Sequence, residues 1–513
     1  MKYACIHGHF YQPPRENPWT GEIERQPSAG EDHDWNARIA RECYRPNGEA
    51  RILGEDGALA RTVNNYSWMS FNFGPTLLNW METHEAETYR RILDADKESR
   101  KRLSGHGNAI AQAYNHMILP LANARDRETQ IRWGIGDFIS RFGRVPEALW
   151  LPECAVNGEV MSLLARHRFK YVILGPEQAA AVISPKGERR EVLPETLDVR
   201  RPYLWESPDG SGSVAVFFYD LPLSRDAAFS QLMASAPGAA ERFVQAFSGA
   251  DEGLVSLASD GETYGHHQKF ADMGLAYLLT EAFAAQGISV VNYGWYLSRH
   301  KPKWRVELAP GGKDLGTSWS CPHGVLRWTE DCGCGSDGKP MAWKKPLREA
   351  FDFLRDRLAP AYERAAGELF KDPWEARNDY ISVLRDGGEA SVRDFLSRHL
   401  HKRSLAADSE IKDRALLLLE MQKYALFMYT SCGWFFPEIT GLEATQNIKY
   451  ARRALELAQK ACGLDLEEEF SPRLQEAFDA GDMPARGAAD AARPDSPREA
   501  GSGVGAAPPA DNG

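Results

Sequence analysis

The stretch Ala148-Leu149-Trp150-Leu151-Pro152-Glu153-Cys154-Ala155-Val156-Asn157 climbs through apolar residues to a proline and sets a carboxylate directly after it. Proline has no N–H to give to a sheet ladder, so Pro152 suits the end of a strand and not its middle. The stretch therefore predicts a buried strand that delivers Glu153 at its lip, beside the Trp150 indole. Two other stretches share the design. Leu254-Val255-Ser256-Leu257-Ala258-Ser259 runs into Asp260-Gly261-Glu262-Thr263-Tyr264-Gly265-His266-His267, and Tyr3-Ala4-Cys5-Ile6 leads into His7-Gly8-His9-Phe10-Tyr11-Gln12-Pro13-Pro14. Apolar strands that each end in acid or imidazole are the pattern of a β/α barrel, whose reactive groups gather at the strands' C-terminal mouth. Glu153 and Asp260 are the expected carboxylate pair.

Working outward, strand and helix patterns alternate over residues 1–300, which predicts a mainly parallel α/β sheet, open or closed. In the first strand His7 and His9 share a face. Residues 15–50 are polar and predict a long loop over the mouth. A strand is expected at 68–73, with Phe71 and Phe73 toward the core. Residues 105–121 carry paired glycines, then Asn115 and His116, and resemble another strand end. Helical spacing marks 126–142 and 160–168, strands follow at 171–174 and 214–219, and helices at 227–247 and 270–286 flank the Asp260 strand. A last short strand falls at 288–291. Residues 301–345 are an irregular segment rich in Gly, Trp, Cys and Pro, and 346–482 show amphipathic helical patterns that predict a bundle packed on the barrel. From 483 to 513 large apolar residues almost vanish, which predicts a disordered tail.

The 513 residues suffice for two or three domains, and 43% hydrophobic with 26% charged residues is an ordinary globular balance. A formal net charge of -11 repels polyphosphate and argues against nucleic acid as a partner. Fourteen tryptophans provide flat apolar surfaces, although core packing accounts for most. The N-terminus shows no signal-peptide pattern, and no apolar run reaches the roughly 18 residues of a membrane span. The expectation is a cytoplasmic protein whose eight cysteines are mostly free thiols.

Glycosidic cleavage needs one group to protonate the leaving oxygen and another to meet the developing oxocarbenium carbon. Glu153 and Asp260 fit such a pair; the plainer reading is that each caps the helix after its strand. His7, His9, His116, His266 and His267 all lie at strand ends, where they could bind sugar hydroxyls or a metal. Cys321-Pro322-His323 and Cys332-Gly333-Cys334 bring three thiols and an imidazole near one another in sequence. They could bind zinc or form a redox disulfide, although C-x-C is not the usual zinc-knuckle spacing. Cys154 is read as packing.

Taken together, the motifs resemble those of glycoside hydrolase family 57, most closely an uncharacterised branch of it. His-x-His followed by Gln12-Pro13 resembles the first conserved region, with Phe10-Tyr11 inserted, and His116-Met117-Ile118-Leu119-Pro120-Leu121 the second. Trp150-Leu151-Pro152-Glu153 resembles the third, which carries the nucleophile. Ser259-Asp260-Gly261-Glu262-Thr263-Tyr264-Gly265-His266 resembles the fourth, which carries the general acid/base. Trp319 to Cys334 and Tyr429-Thr430-Ser431-Cys432-Gly433-Trp434-Phe435-Phe436 look like marks of the branch.

The resemblance implies a (β/α)7-type barrel followed by a helical domain. It also implies a retaining enzyme that cleaves or transfers α-glucosidic bonds in an oligo- or polysaccharide, without a cofactor. Glu153 is then the nucleophile and Asp260 the acid/base. His7, His9, Gln12, His116, Trp150, His266 and Trp434 are the expected sugar contacts, with Trp434, Phe435 and Phe436 closing one wall. The alternatives are a metal-dependent polysaccharide deacetylase and a non-catalytic carbohydrate-binding protein.

Overall fold

Strand β1 (Lys2–Phe10) is buried on both faces, as a strand inside a ring must be. In the computed structural model, which describes residues 1–481 except 211, 251, 335–338 and 403–407, β1 seeds a ring of parallel strands. The tail expected over 483–513 lies outside the described residues. The other strands of the ring are β2 (Ser70–Phe73), β3 (Ala111–Gln112), β4 (Leu149–Trp150), β5 (Tyr171–Leu174), β6 (Ser213–Phe218) and β7 (Gly253–Asp260). β1 pairs with β7 along its whole length, Lys2 opposite Gly253 and His9 opposite Asp260, and with β2 from His7 to Phe10. Parallel contacts then run from Phe71 to Ala109, from β3 to β4, from Ala148 to Tyr171 and from β5 to β6. These are the seven strands of a (β/α)7-type barrel, with the C-terminal ends of all seven on one side.

Closure between β6 and β7 is splayed. The strand Tyr203–Glu206 pairs antiparallel with β6, and Leu254 N–H reaches the Arg200 carbonyl. Only at the mouth does the Asp220 N–H meet the Ser256 carbonyl directly, at 2.7 Å. The short strand Ile288–Val290 pairs with the first residues of β1, below β2 on the same edge. Tyr203–Glu206 also belongs to a side sheet with Trp304–Leu308, Ala179–Ile183 and Arg189–Glu191, so 301–345 opens on a strand before turning irregular.

Two expectations are corrected here. Residues 15–50 hold short helices at Trp35–Ile39 and Arg45–Gly48 joined by a π turn. The Asp34 carboxylate starts the first of them by accepting the Ala37 N–H at 3.0 Å, a cap that the polar composition concealed. The helix expected across 227–247 is broken into Leu221–Phe229 and Ala236–Ala246, with Gln231 in a left-handed conformation between them. Alanine and helical spacing continue through the break, which is why periodicity ran across it.

Beyond the barrel, long helices at Lys344–Gly367, Ser409–Phe427 and Leu442–Cys462, with Glu467–Ala480, surround a second apolar core. That core takes in Tyr114, Met117, Ile118 and Trp133 from the barrel side, so the bundle is seated on the segment after β3. No helix of the described residues is long and apolar enough to cross a membrane.

Candidate active site

The alternation of β1 turns Cys5, His7 and His9 to one face, and β2 and β3 set Ser70, Asn72 and Gln112 beside the imidazoles. His7 Nε2 lies 3.1 Å from Asn72 Oδ1 and its Nδ1 3.0 Å from Ser70 Oγ. The Asn72 amide nitrogen meets His9 Nδ1 at 2.9 Å and donates to Gln112 Oε1 at 2.7 Å. His9 Nε2 lies 3.2 Å from His116 Nε2, whose Nδ1 meets Ser431 Oγ at 2.6 Å. Neutral imidazoles satisfy every link of this chain. Asn72 donates to His9 Nδ1, so His9 donates from Nε2 to His116, and His116 donates from Nδ1 to Ser431. In the other direction His7 donates from Nε2 to the Asn72 oxygen and accepts from Ser70. Burial favours the same state: it pushes His7 and His9 down to about 3 and His116 well below its usual value.

Trp150 lies against both histidines of β1, with ring centroids 4.7 Å from His7 and 4.9 Å from His9, and Tyr11 stacks on His116 at 3.9 Å. The floor of the barrel mouth is thus a buried stack of aromatic and neutral imidazole rings. His7 and His116 (each 0% exposed), Trp150 (1%) and His9 (4%) form its layers, beneath the surface a ligand would first meet.

The carboxylates stand at this floor. Past the two-residue β4 and Pro152 the chain turns sharply, and Glu153 and Cys154 both adopt left-handed backbone, with φ of 58° and 48°. His116 does the same at φ 58°. Such non-glycine conformations cost on the order of 1–3 kcal/mol each and persist where surroundings enforce them, commonly at functional sites. The enforcement at Glu153 comes from the irregular segment: Trp319 N–H donates to the Glu153 carbonyl at 3.0 Å, and the Trp319 indole N–H to Glu153 Oε2 at 3.2 Å. Burial raises the Glu153 carboxyl, while the Trp319 indole N–H and the charge of Arg327 oppose the rise.

Asp260, opposite His9 in the register, is raised to about 7, first by desolvation and then by the charge of Glu153. Its side chain is nevertheless exposed. Water thus reaches the residue, while the protein packed around its carboxyl displaces part of the hydration shell. Repulsion from Glu153 adds to the rise, so ionising Asp260 is harder while Glu153 is charged.

A third carboxyl, Glu262, was not assigned a role from sequence. It is buried, accepts from the Tyr44 hydroxyl at 2.6 Å and the Tyr11 N–H at 3.2 Å, and is raised to about 8, chiefly by burial. It ties the loop after β7 to the loop after β1. Glu177, after β5, is also raised by burial, and its Oε2 has no hydrogen-bond partner among the described residues. The Asp-x-Glu spacing after β7 was the available signal for Glu262, and the Gly-Pro turn after β5 for Glu177. For Trp319 the signal was its place at the head of the Cys-rich motif.

The remaining expected contacts are more dispersed. Gln12 accepts from Arg15 at 2.9 Å on the loop after β1. His266 is partly exposed and pairs with Glu42 at 2.5 Å, which turns it toward the short helices of 15–50. Trp434 is 1% exposed and packs on Phe351 and Tyr429 inside the helical domain. Phe435 lies under the Arg327 guanidinium, and Phe436 is exposed. The bundle reaches the barrel floor instead through Ser431, whose N–H donates to the His116 carbonyl at 3.1 Å.

Cys321, His323, Cys332 and Cys334 form the group able to hold a metal ion among the described residues, and they sit on the rim segment. No comparable set of ligands converges on the carboxylate pair among those residues, so the deacetylase alternative finds no metal-binding set at the mouth.

The profile of a domain of unknown function (DUF3536) matches residues 341–488. No curated protein matches the chain by sequence. Among solved structures, an exo-type maltose-forming amylase from Pyrococcus sp. ST04 is similar at TM-score 0.68 and 17% identity, over 93% of this chain and 82% of that one. A branching enzyme of the GH57 type from Pyrococcus horikoshii is similar at TM-score 0.55 and 14% identity, over 97% and 98%. A 4-alpha-glucanotransferase from Thermococcus litoralis follows at TM-score 0.50 and 16% identity, over 90% and 58%. At these identities the likeness is one of fold. The profile of glycosyl hydrolase family 57 matches residues 37–309, a little over half of the 513 residues, and the chain belongs to that family.

Proposed function

We propose that the protein is a retaining enzyme acting on α-glucosidic bonds of an α-glucan, with Glu153 as nucleophile and Asp260 as general acid/base. The observation that carries this reading is the unequal pair at the barrel mouth. Glu153 is held by an indole N–H on one oxygen, whereas Asp260 is raised to about 7 by desolvation and by Glu153 itself. An acid must hold its proton near working pH and release it readily, and a value near 7 meets both demands.

In the first step Asp260 gives its proton to the glycosidic oxygen as the bond to the anomeric carbon breaks. The Glu153 carboxylate bonds to that carbon from the opposite face, forming a glycosyl ester, and the leaving sugar departs as an alcohol. In the second step Asp260, now ionised, takes a proton from water or a sugar hydroxyl. The resulting oxygen nucleophile displaces Glu153 and restores both carboxyls. Water gives hydrolysis and a sugar hydroxyl gives transfer. Family membership supports the glycosidic chemistry, and the amylase, branching enzyme and glucanotransferase of similar fold suggest the α-glucan class.

A fluorinated α-glucosyl fluoride, which forms the ester quickly and releases it slowly, tests the assignment. Mass spectrometry of the digested protein should find the sugar on the peptide containing Glu153. A sugar attached to the Asp260 peptide, or turnover of activated substrate with no ester at Glu153, overturns it.

A further inference from the structure

We propose that Cys321, His323, Cys332 and Cys334 bind one zinc ion, a structural clamp that fixes the rim segment holding Glu153. The cluster lies outside the catalytic cleft and takes no part in the two-step chemistry.

Four of the six ligand–ligand distances lie near the edges of a coordination tetrahedron. Zinc–sulfur bonds of about 2.3 Å give a sulfur–sulfur edge of about 3.8 Å, and a nitrogen ligand gives a sulfur–nitrogen edge of about 3.6 Å. Cys321 Sγ lies 3.7 Å from Cys332 Sγ and 3.7 Å from Cys334 Sγ. His323 Nδ1 lies 3.2 Å from Cys334 Sγ and 4.0 Å from Cys321 Sγ, bracketing the expected edge. All four ligand atoms fall within 4.8 Å of one another. A disulfide needs sulfurs about 2.05 Å apart and involves only two of them, leaving the third thiol and the imidazole unexplained.

The backbone is shaped for convergence. Gly333, between Cys332 and Cys334, has φ of +76°, a conformation L side chains seldom adopt, and it lets two nearly adjacent thiols face one point. Gly324, directly after His323, has φ of +74°, and a Cβ there would lie 2.2 Å from the Gly316 carbonyl oxygen. Cations surround the thiols. Arg327 donates to the Cys334 carbonyl at 2.6 Å and to the Ser320 carbonyl at 3.3 Å. Lys344 is 0% exposed, and its Nζ has no hydrogen-bond partner among the described residues. Asp331 adds a negative charge nearby, and its two oxygens accept the N–H groups of Gly333 and Met341 at 3.1 and 2.8 Å. A buried ammonium with no hydrogen-bond partner among the described residues favours negative charge close by. Zinc with three thiolates and a neutral imidazole carries a net charge of −1, the sign that the neighbouring Arg327 and Lys344 favour. Zinc fits better than an iron–sulfur cluster, which takes four thiolates in its ordinary forms.

The consequence for Glu153 rests on the catalytic reading given above. Trp319 lies two residues before Cys321, so a metal that fixes Cys321 also fixes the residue that holds Glu153. The ion would act as a remote positioning element, as outer partners do in other metal proteins.

The test uses the full chain produced in zinc-replete medium. Elemental analysis should find about one zinc per chain. The C332S/C334S variant should lose it, and Cys432→Ser, outside the cluster, should retain it. If C332S/C334S fails to fold, the wild type still decides: cobalt(II) added to chelator-treated protein should give the intense visible bands of tetrahedral thiolate-bound cobalt. Trypsin should cut at Arg327 in the chelated protein and spare it in the zinc-loaded one. Less than about a tenth of an equivalent of zinc with no cobalt bands overturns the proposal. So does a native disulfide joining two of these cysteines in protein that takes up no metal. None of these readouts depends on sugar turnover, so they can fail or succeed independently of the Glu153 assignment. For the clamp itself, chelation should lower kcat more than it alters KM. Zinc-loaded Trp319→Ala should show the same split while keeping its metal; an apo protein with unchanged kcat overturns the clamp.

Discussion

The two carboxylates reach the mouth by different routes. Asp260 ends an eight-residue strand whose register with β1 is continuous from Lys2 opposite Gly253 to His9 opposite Asp260. Glu153 lies in a left-handed turn after a strand of two residues, and its hydrogen bonds come from Trp319, 166 residues along the chain. One side of the site is set by sheet geometry and the other by a loop that must itself be held. Sheet register resists local perturbation, because a slip turns a whole strand inside out. A loop contact depends on everything that orders the loop, so the Glu153 side should be the adjustable one.

The largest effect should come from removing Glu153. Glu153→Ala should lower kcat on natural substrate by roughly 10⁴-fold or more, since nucleophile removal in covalent enzymes can reach about 10⁶-fold. Asp260→Asn should cost roughly 10²–10⁴-fold on natural substrate. It should cost much less on substrates with good leaving groups in the step that forms the ester. Equal losses on both substrate types would remove the distinction between the two residues.

The pH profile sharpens the same contrast. Asp260 must start protonated, so kcat/KM should fall as pH rises through about 7. Glu153 must be ionised, so activity should also fall toward acid, through a value above the ordinary carboxylate range. With a good leaving group, Asp260→Asn should lose the alkaline limb and keep the acid one. Stability has a related dependence. The folded values of Asp260 and Glu262 are raised from 3.8 and 4.5 to about 7 and about 8. Their contribution is full below the unfolded values and is lost as pH rises through the folded ones. Tm should therefore decline between about pH 5 and pH 8, less steeply in Asp260→Asn.

Trp319→Phe keeps a ring and deletes one N–H to a charged oxygen. A hydrogen bond to a charged group contributes about 1.5–3 kcal/mol, so kcat should fall roughly 10- to 100-fold with KM little changed. An unchanged kcat would show that the left-handed turn alone places Glu153. The smallest effect belongs to Ser431→Ala. It removes the acceptor of His116 at the bundle interface, worth about 1 kcal/mol, and should lower Tm by a few degrees at most.

The same asymmetry governed what could be read in advance. The Asp260 strand was legible because Leu254 to Ser259 form a long apolar run closed by turn residues, and β1 because His7 and His9 alternate. Strands β3 and β4 are only two residues each, too short for periodicity, and were found through the groups at their ends. The neutral imidazole chain was half visible. Its histidines were named, but Asn72 and Ser431, which fix their tautomers, come from segments 63 and 315 residues away from their partners. The same distance hid Trp319, because no local pattern records which loop will fold against which strand end. Trp434 drew notice as an aromatic in a marked motif, yet the motif touches the barrel through its small polar residues, Thr430 and Ser431.

The assignment of Glu153 is tested most directly by azide with an activated α-glucoside, following the anomeric configuration of the product. Glu153→Ala leaves a gap beside the anomeric carbon, which azide can enter and attack from the nucleophile's side. One displacement inverts the centre, so the product should be the β-glucosyl azide. In Asp260→Ala the ester still forms, azide displaces it from the Asp260 side, and two inversions should give the α-glucosyl azide. A β-azide from Glu153→Ala and an α-azide from Asp260→Ala are the predicted pair. An α-azide from Glu153→Ala, or a β-azide from Asp260→Ala, would contradict the assigned roles.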